Sequence, residues 1–368
     1  MKRRINRHPV DTLYILGAGS SRALTHVKAR GPKKNPSRRI TPIDSDFLSM
    51  LDKFKLQQGW QKRAWECLEK DWLGSDPLTK FGLEKAVIER VADFELLEAL
   101  HPSQSKEKCK NQEYLNNLIH LVSDYLLKCR SNASGDTREF VNHVFPVGES
   151  PNSYKNRIIT FNYDLIVDRP LLERGISKKK LYFDKISSGR DSPARRKRGE
   201  KFQHPLLLRL HGSVNWRCER HYFNQIVAGP GDNKKGLFPI WSCDVGCPSP
   251  EDDESILIIP PIPNKPVTRA ELFRTLWTTA LEYLHEAKKI VIVGYSCPET
   301  DALARSMFTQ FKNPNVSDIF VVDPSAKAMS KYHKLFRKAV KNKKAVKWHY
   351  SSDFREYIDN YIRGAAAS

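Results

Sequence analysis

Short apolar or β-branched runs recur along this chain, and each gives way at once to a loop. They are Thr12–Leu16, Arg157–Phe161, Leu206–Leu210, Ser255–Ile259, Lys289–Val293, Asp318–Val322 and Val346–Tyr350. Near-continuous hydrophobicity over so short a span marks strands buried on both faces of a parallel sheet. Between two of them, Ala270 to Ala287 sets Leu272, Phe273, Leu276, Trp277, Ala280, Leu281 and Leu284 on one helical face. Strands alternating with helices predict an α/β, Rossmann-like doubly wound, mostly parallel sheet.

One interval breaks the alternation. Between the first run and Arg157 the spacing is helical, with helices expected over Asp46–Phe54, Gln61–Leu73, Leu83–Leu100 and Tyr114–Leu127. The chain therefore reads as a single domain over 1–365, carrying a large helical insertion after the first strand over 44–150. No internal repeat is visible.

Size and charge narrow the class. The 368 residues are 40% apolar, enough for a substantial core. The formal net charge is +20, and the basic residues gather in Lys28–Arg39, Lys178–Lys180, Arg195–Lys201 and Lys331–Lys347. Such runs read either as solvated surface or as a polyanion site, so nucleic acid stays open as a partner. Seven cysteines in a chain this long make no disulfide framework, and the odd number fits a reducing cytoplasm. Leu13–Leu16 is too short for a signal peptide and no stretch reaches membrane-span length, so a soluble cytoplasmic protein without membrane contact is expected.

The residues that close each run carry the chemistry. Gly17-Ala18-Gly19-Ser20-Ser21 follows the first and Asn162-Tyr163-Asp164 the second. The later runs end in His211-Gly212-Ser213, Pro260-Pro261, Gly294-Tyr295-Ser296 and Asp323-Pro324-Ser325. Open α/β sheets bind ligands at the carboxyl ends of their strands, so these loops should converge on one crevice. Gly17 and Gly19 would let the backbone approach a diphosphate, with Ala18 between them and Ser20 and Ser21 adding donors at a helix start. An ordinary strand-to-helix turn is the other reading, since Arg22 stands where G-x-G-x-x-G has its third glycine.

Four of these blocks together resemble the sirtuin family, and more closely its prokaryotic sirtuin-like NAD-hydrolase branch. They are GAGSS, TFNYD (Thr160–Asp164), LHGS (Leu210–Ser213) and VIVGYS (Val291–Ser296), in the family's order. The resemblance spans nearly the whole chain except the helical insertion. Because sirtuin-like proteins do not require the third glycine, Arg22 damages nothing.

The resemblance implies NAD as substrate and gives these residues roles. It makes Asn162 catalytic, its amide able to hold ribose hydroxyls or a water. It makes His211 the general base, a residue able to take a proton near neutral pH. Asp164 could orient the ribose or face developing positive charge. Asn162 and Asp164 would equally serve as caps opening a helix over Leu165–Leu172. Gly294, Tyr295 and Ser296 would pack against the nucleotide, and Asp323 could accept from adenosine ribose hydroxyls, although Asp323-Pro324 is also a common turn.

Sirtuins carry a zinc ribbon of two Cys-x-x-Cys pairs after the catalytic histidine. Here Cys218, His221, Cys243 and Cys247 have tetrahedral zinc-ligand types in a related spacing, within a small zinc-ribbon-like module over 217–254. The set departs from the sirtuin pattern by one ligand and one spacer residue, and many members of the hydrolase branch lack the ribbon. Cys297 is read as a packing residue.

Deacylases of the family hold an acyl-lysine peptide as an added strand beside a phenylalanine-glycine-glutamate segment. Ile258-Ile259-Pro260-Pro261-Ile262-Pro263 stands in that place, and its prolines remove donors that strand addition needs. Water as nucleophile, giving ADP-ribose and nicotinamide, is the expectation. The branch implies NAD depletion in prokaryotic antiviral defence, a homo-oligomer, and a partner sensor or HerA-type ATPase chain. The competing readings are an NAD-dependent protein deacylase and a basic nucleic-acid-binding protein with a vestigial nucleotide fold.

Overall fold

Leu13, Tyr14, Ile15 and Leu16 of β1 (Thr12–Leu16) are all buried. A strand apolar on both faces can satisfy its backbone only between neighbours, and β1 lies at the centre of a sheet. The computed structural model describes residues 10–25, 41–53, 59–70, 77–80, 82–87, 105–129, 135–182, 186–187, 204–219, 240–242, 254–259, 271–340 and 346–363. The further strands are β2 (Arg157–Thr160), β3 (Ile186–Ser187), β4 (Leu207–Arg209), β5 (Gly212–Glu219), β6 (Ile240–Ser242), β7 (Glu254–Ile258), β8 (Lys289–Val293), β9 (Asp318–Val322) and β10 (Lys347–Ser351).

A 6-stranded sheet runs β10-β9-β8-β1-β2-β4, and every pairing in it is parallel. The chain walks outward from β1 through β2 and β4, then returns to the other side of β1 for β8, β9 and β10. That is the strand order of doubly wound nucleotide-binding folds, with its reversal between β1 and β8. Helices Ala18–Thr25, Asp168–Glu173, Glu271–Glu286, Ala302–Gln310 and Lys327–Phe336 lie between its strands along the chain. The expected α/β fold is the fold of this chain.

The insertion after β1 is helical. It holds Phe47–Lys53, Gly59–Lys70, Ser105–Cys129 and Gly135–Val144, with no strand among its described residues. Only 83–87 of the helix expected over Leu83–Leu100 falls among the described residues.

Ser255–Ile259 corrects the sequence reading. The strand exists as β7, but it belongs to a separate 4-stranded sheet of order β3-β6-β5-β7, antiparallel to β5. All of β7 is buried, and an apolar run does not distinguish a parallel strand from an antiparallel one sandwiched in a core. β5 went unanticipated for the opposite reason: its polar Ser213, Asn215 and Arg217 read as loop. They are buried and bonded locally, Ser213 Oγ donating to Asn215 Oδ1 at 2.7 Å and Arg217 Nη1 to the Val214 carbonyl at 2.8 Å.

The chain passes from one sheet to the other at Gly212. Its φ is +82°, and a Cβ there would lie 2.1 Å from the Leu257 carbonyl oxygen of β7. Only glycine fits, because the backbone is left-handed and another strand crosses against it. No described helix is long and apolar enough to cross a membrane.

Candidate functional site

Register brings the loops together. Leu16 pairs with Thr160 and Val293, Thr160 with Arg209, Val293 with Val322, and Val322 with Ser351. The carboxyl ends of all six strands of the sheet therefore lie in one row. Between β1 and β8, where the winding reverses, the two following loops touch. Gly19 N–H donates to the Gly294 carbonyl at 3.0 Å, and Ser20 N–H to the Gly17 carbonyl at 2.9 Å. A Cβ on Gly17 would sit 2.5 Å from the Gly294 oxygen, and one on Gly294, whose φ is +56°, 2.4 Å from Ser20 N. The contact between two loops thus demands these glycines before any ligand does.

Over this point opens a cavity of about 880 Å³, within the ~300–1,000 Å³ usual for small-molecule sites. Of the residues expected at the site, Ala18, Gly19, Asn162, Asp164, His211, Gly294, Tyr295, Ser296 and Asp323 all line it. Gly17 and Ser20 are buried behind the wall. Ile43 and, from the helical insertion, Phe47, Leu83 and Leu126 close another side. Among the described residues two cations line the cavity, each paired: Arg22 with Asp46, and Arg355 with Asp136 at 2.5 Å.

Asn162 is 9% exposed. Its Nδ2 donates to the Gly17 carbonyl at 2.9 Å and to Ser21 Oγ at 2.8 Å. A carbonyl oxygen only accepts, which settles the amide orientation and leaves Oδ1 as the side chain's remaining polar atom. Asp164 accepts from Ile166 N–H at 3.0 Å, a local turn ahead of the helix, which begins at Asp168 rather than Leu165. Burial pushes the Asp164 carboxyl above the usual carboxylate range, against bonding from Ser21 and the charge of Arg209.

Beneath this loop lies a pair that sequence reading missed. Arg209, at the end of β4, is 2% exposed and forms a two-pronged ion pair with fully buried Asp168. The same guanidinium donates to the carbonyls of Asn162 at 2.9 Å and Asp164 at 2.5 Å. Tyr182 Oη donates to Asp168 Oδ1 at 2.5 Å. Arginine's planar fork reaches carboxylate and backbone at once.

His211 is 6% exposed, and its Nε2 lies 3.3 Å from Asp301 Oδ2. Tyr295 Oη donates to the same carboxylate oxygen at 2.6 Å. The Tyr295 ring stacks on Phe161 at 3.9 Å between centroids, and Phe161 meets the His211 ring edge to face at 5.2 Å. Burial first, then the Asp301 charge, holds Tyr295 far above its ordinary pKa, so its hydroxyl remains a donor. The Tyr163 hydroxyl is raised for the same reasons and donates to the Ile259 carbonyl at 2.7 Å. The Ile259 N–H in turn donates to the His211 carbonyl at 2.8 Å, so the residue that follows β7 braces the histidine from outside the parallel sheet. Asp323 is also raised by burial, while its Oδ1 accepts from Ser325 N–H at 2.9 Å.

Of the expected zinc ligands, Cys218 is buried within β5, in register with Ile240 and Ser255. His221, Cys243 and Cys247 lie outside the described residues, as does the proline run at 260–263. Among the described residues no group of three or more His, Cys, Asp or Glu side chains could hold a metal ion.

No protein-family model and no curated protein matches the chain. Solved structures similar to it include one described as a Sir2–p53 peptide–NAD+ complex, 11% identical with a TM-score of 0.36, covering 97% of this chain and 94% of that one. Another, described as the structural basis of sirtuin substrate affinity, is also 11% identical with a TM-score of 0.36, covering 96% of this chain and 93% of that one. At a TM-score of 0.36 the likeness assigns a role to no residue.

Proposed function

We propose that this protein is an NAD glycohydrolase, binding NAD across the β1–β8 reversal and cleaving its nicotinamide–ribose bond. The observation that carries this reading is the convergence of Asn162 and His211 on one cavity of about 880 Å³ at the point where doubly wound folds take dinucleotides. The diphosphate lies over Ala18 and Gly19, and the adenosine ribose beside Asp323. The nicotinamide ribose lies between Asn162 and His211. Asn162 positions ribose or water through Oδ1, and Asp164 faces the positive charge that develops on the sugar.

The chemistry closes with these groups. The bond from ribose C1′ to the pyridinium nitrogen breaks with its electron pair going to nitrogen, so nicotinamide leaves neutral. A water oxygen bonds C1′ and its proton passes to His211. The products are nicotinamide, ADP-ribose and a proton. NAD depletion in antiviral defence, a homo-oligomer and a partner sensor or HerA-type ATPase chain belong to the same proposal and rest on the sequence resemblance alone.

Incubating the purified protein with NAD and separating the products chromatographically tests the reading. Nicotinamide and ADP-ribose in equal amounts are expected. Formation of O-acetyl-ADP-ribose from an acetylated peptide would replace hydrolysis with deacylation. DNA or RNA binding with no NAD turnover would favour the vestigial reading.

A further inference from the structure

We infer that Asp301 is the positioning residue of the proposed reaction, holding His211 so that one particular ring nitrogen serves as the base. This rests on the glycohydrolase reading of the same cavity. Asp301 Oδ2 lies 3.3 Å from His211 Nε2, and both side chains are almost wholly buried. In the proposed arrangement Nε2 carries the proton and faces the Asp301 carboxylate, and Nδ1 acts as the acceptor. The water proton therefore passes to Nδ1, and the imidazolium formed is stabilised by a carboxylate already in contact.

Three features hold Asp301 for this task. It sits at the N-cap of helix Ala302–Gln310, where the helix dipole favours a negative charge. Its side chain makes no capping bond to that helix. Tyr295 Oη donates to the same Oδ2 at 2.6 Å, and the Tyr295 ring is clamped parallel to Phe161 at 3.9 Å. Phe161, Tyr163 and Trp277 all have ring centroids within 6.4 Å of that of His211 and pack around it beside the acid.

The test compares the parent with Asp301→Asn, Asp301→Glu, His211→Ala and the His211→Ala/Asp301→Asn double variant, measuring kcat and KM for NAD alongside thermal unfolding. Asp301→Asn should lower kcat on the order of 10²–10⁴-fold with KM changed by no more than about threefold. Asp301→Glu, which keeps the carboxylate, should recover part of that loss. In the His211→Ala background the Asp301→Asn change should cost no further activity, since a residue acting through His211 has nothing left to act on. Losses that multiply in the double variant would assign Asp301 to the fold alone, as would a kcat loss equal in the Asn and Glu variants. An active parent with Asp301→Asn at the parent rate removes this role and leaves the glycohydrolase standing. A parent that leaves NAD intact, even at protein concentrations equal to the NAD, removes both.

Discussion

Arg209 and Asp168 form a fully buried ion pair whose arginine also bonds the carbonyls of Asn162 and Asp164. One guanidinium thus fixes the backbone on both sides of Tyr163 and sets where two proposed catalytic side chains point. Removing one member of a buried pair strands the other charge, which costs about 3–5 kcal/mol. Arg209→Met should therefore lower stability by that order in urea unfolding. Arg209→Lys, which keeps the charge but loses the fork, should fold better than Met and still lose most NAD turnover. Full activity in Arg209→Lys would contradict the positioning role.

The glycines at the loop contact separate a steric demand from a conformational one. Gly294 has φ +56° and a Cβ there would lie 2.4 Å from Ser20 N, whereas Gly175 has φ +76° with nothing within 4 Å. Gly175→Ala should cost only the left-handed conformation, roughly 1–2 kcal/mol, and leave NAD binding intact. Gly294→Ala should cost more in unfolding and abolish NAD binding, because the loops after β1 and β8 must part. Equal effects of the two changes would show that the contact between the loops is unimportant.

Asp164 makes stability depend on pH with a defined sign. Burial raises its folded pKa above the unfolded value, so the folded state keeps the proton to higher pH. Stability associated with this group is present below the unfolded pKa and is lost as pH rises through the folded one. Asp164→Asn, which cannot ionise, should gain in melting temperature over the parent as pH rises above about 4, while turnover falls. A melting difference that stays constant over that range would contradict the raised pKa.

Much of the cavity lining could be read from sequence because strand ends are local features. GAGSS, TFNYD, LHGS and VIVGYS each join a short apolar run to a loop, and register then aligns those ends without further specification. What escaped depends on distant partners. Arg209 was visible as a charge inside an apolar strand, a signal that a buried counter-ion must exist, but nothing local identifies Asp168. Asp301 follows the GYS block by only a few residues, yet its pairing with His211 joins segments that follow β8 and β4, strands separated in the sheet by β1 and β2. The glycine of LHGS reads as a companion of the histidine; its physical reason is the Leu257 carbonyl of a strand in another sheet.

Asp323 gives a check on substrate choice within the cavity. Its half-buried carboxylate should accept from the adenosine ribose hydroxyls and repel a 2′-phosphate, so NADP should be a poorer substrate than NAD. Asp323→Asn should narrow that preference, read as the ratio of kcat/KM for the two dinucleotides. A ratio unchanged by the substitution would place the adenosine elsewhere.

The most direct measurement is NAD turnover beside calorimetric NAD binding for the parent, Asn162→Ala and His211→Ala. The parent should bind NAD and release nicotinamide. His211→Ala should bind with similar affinity and turn over slower on the order of 10²–10⁴-fold, with Asn162→Ala comparably impaired. His211→Ala that is folded and hydrolyses NAD at the parent rate would contradict the account.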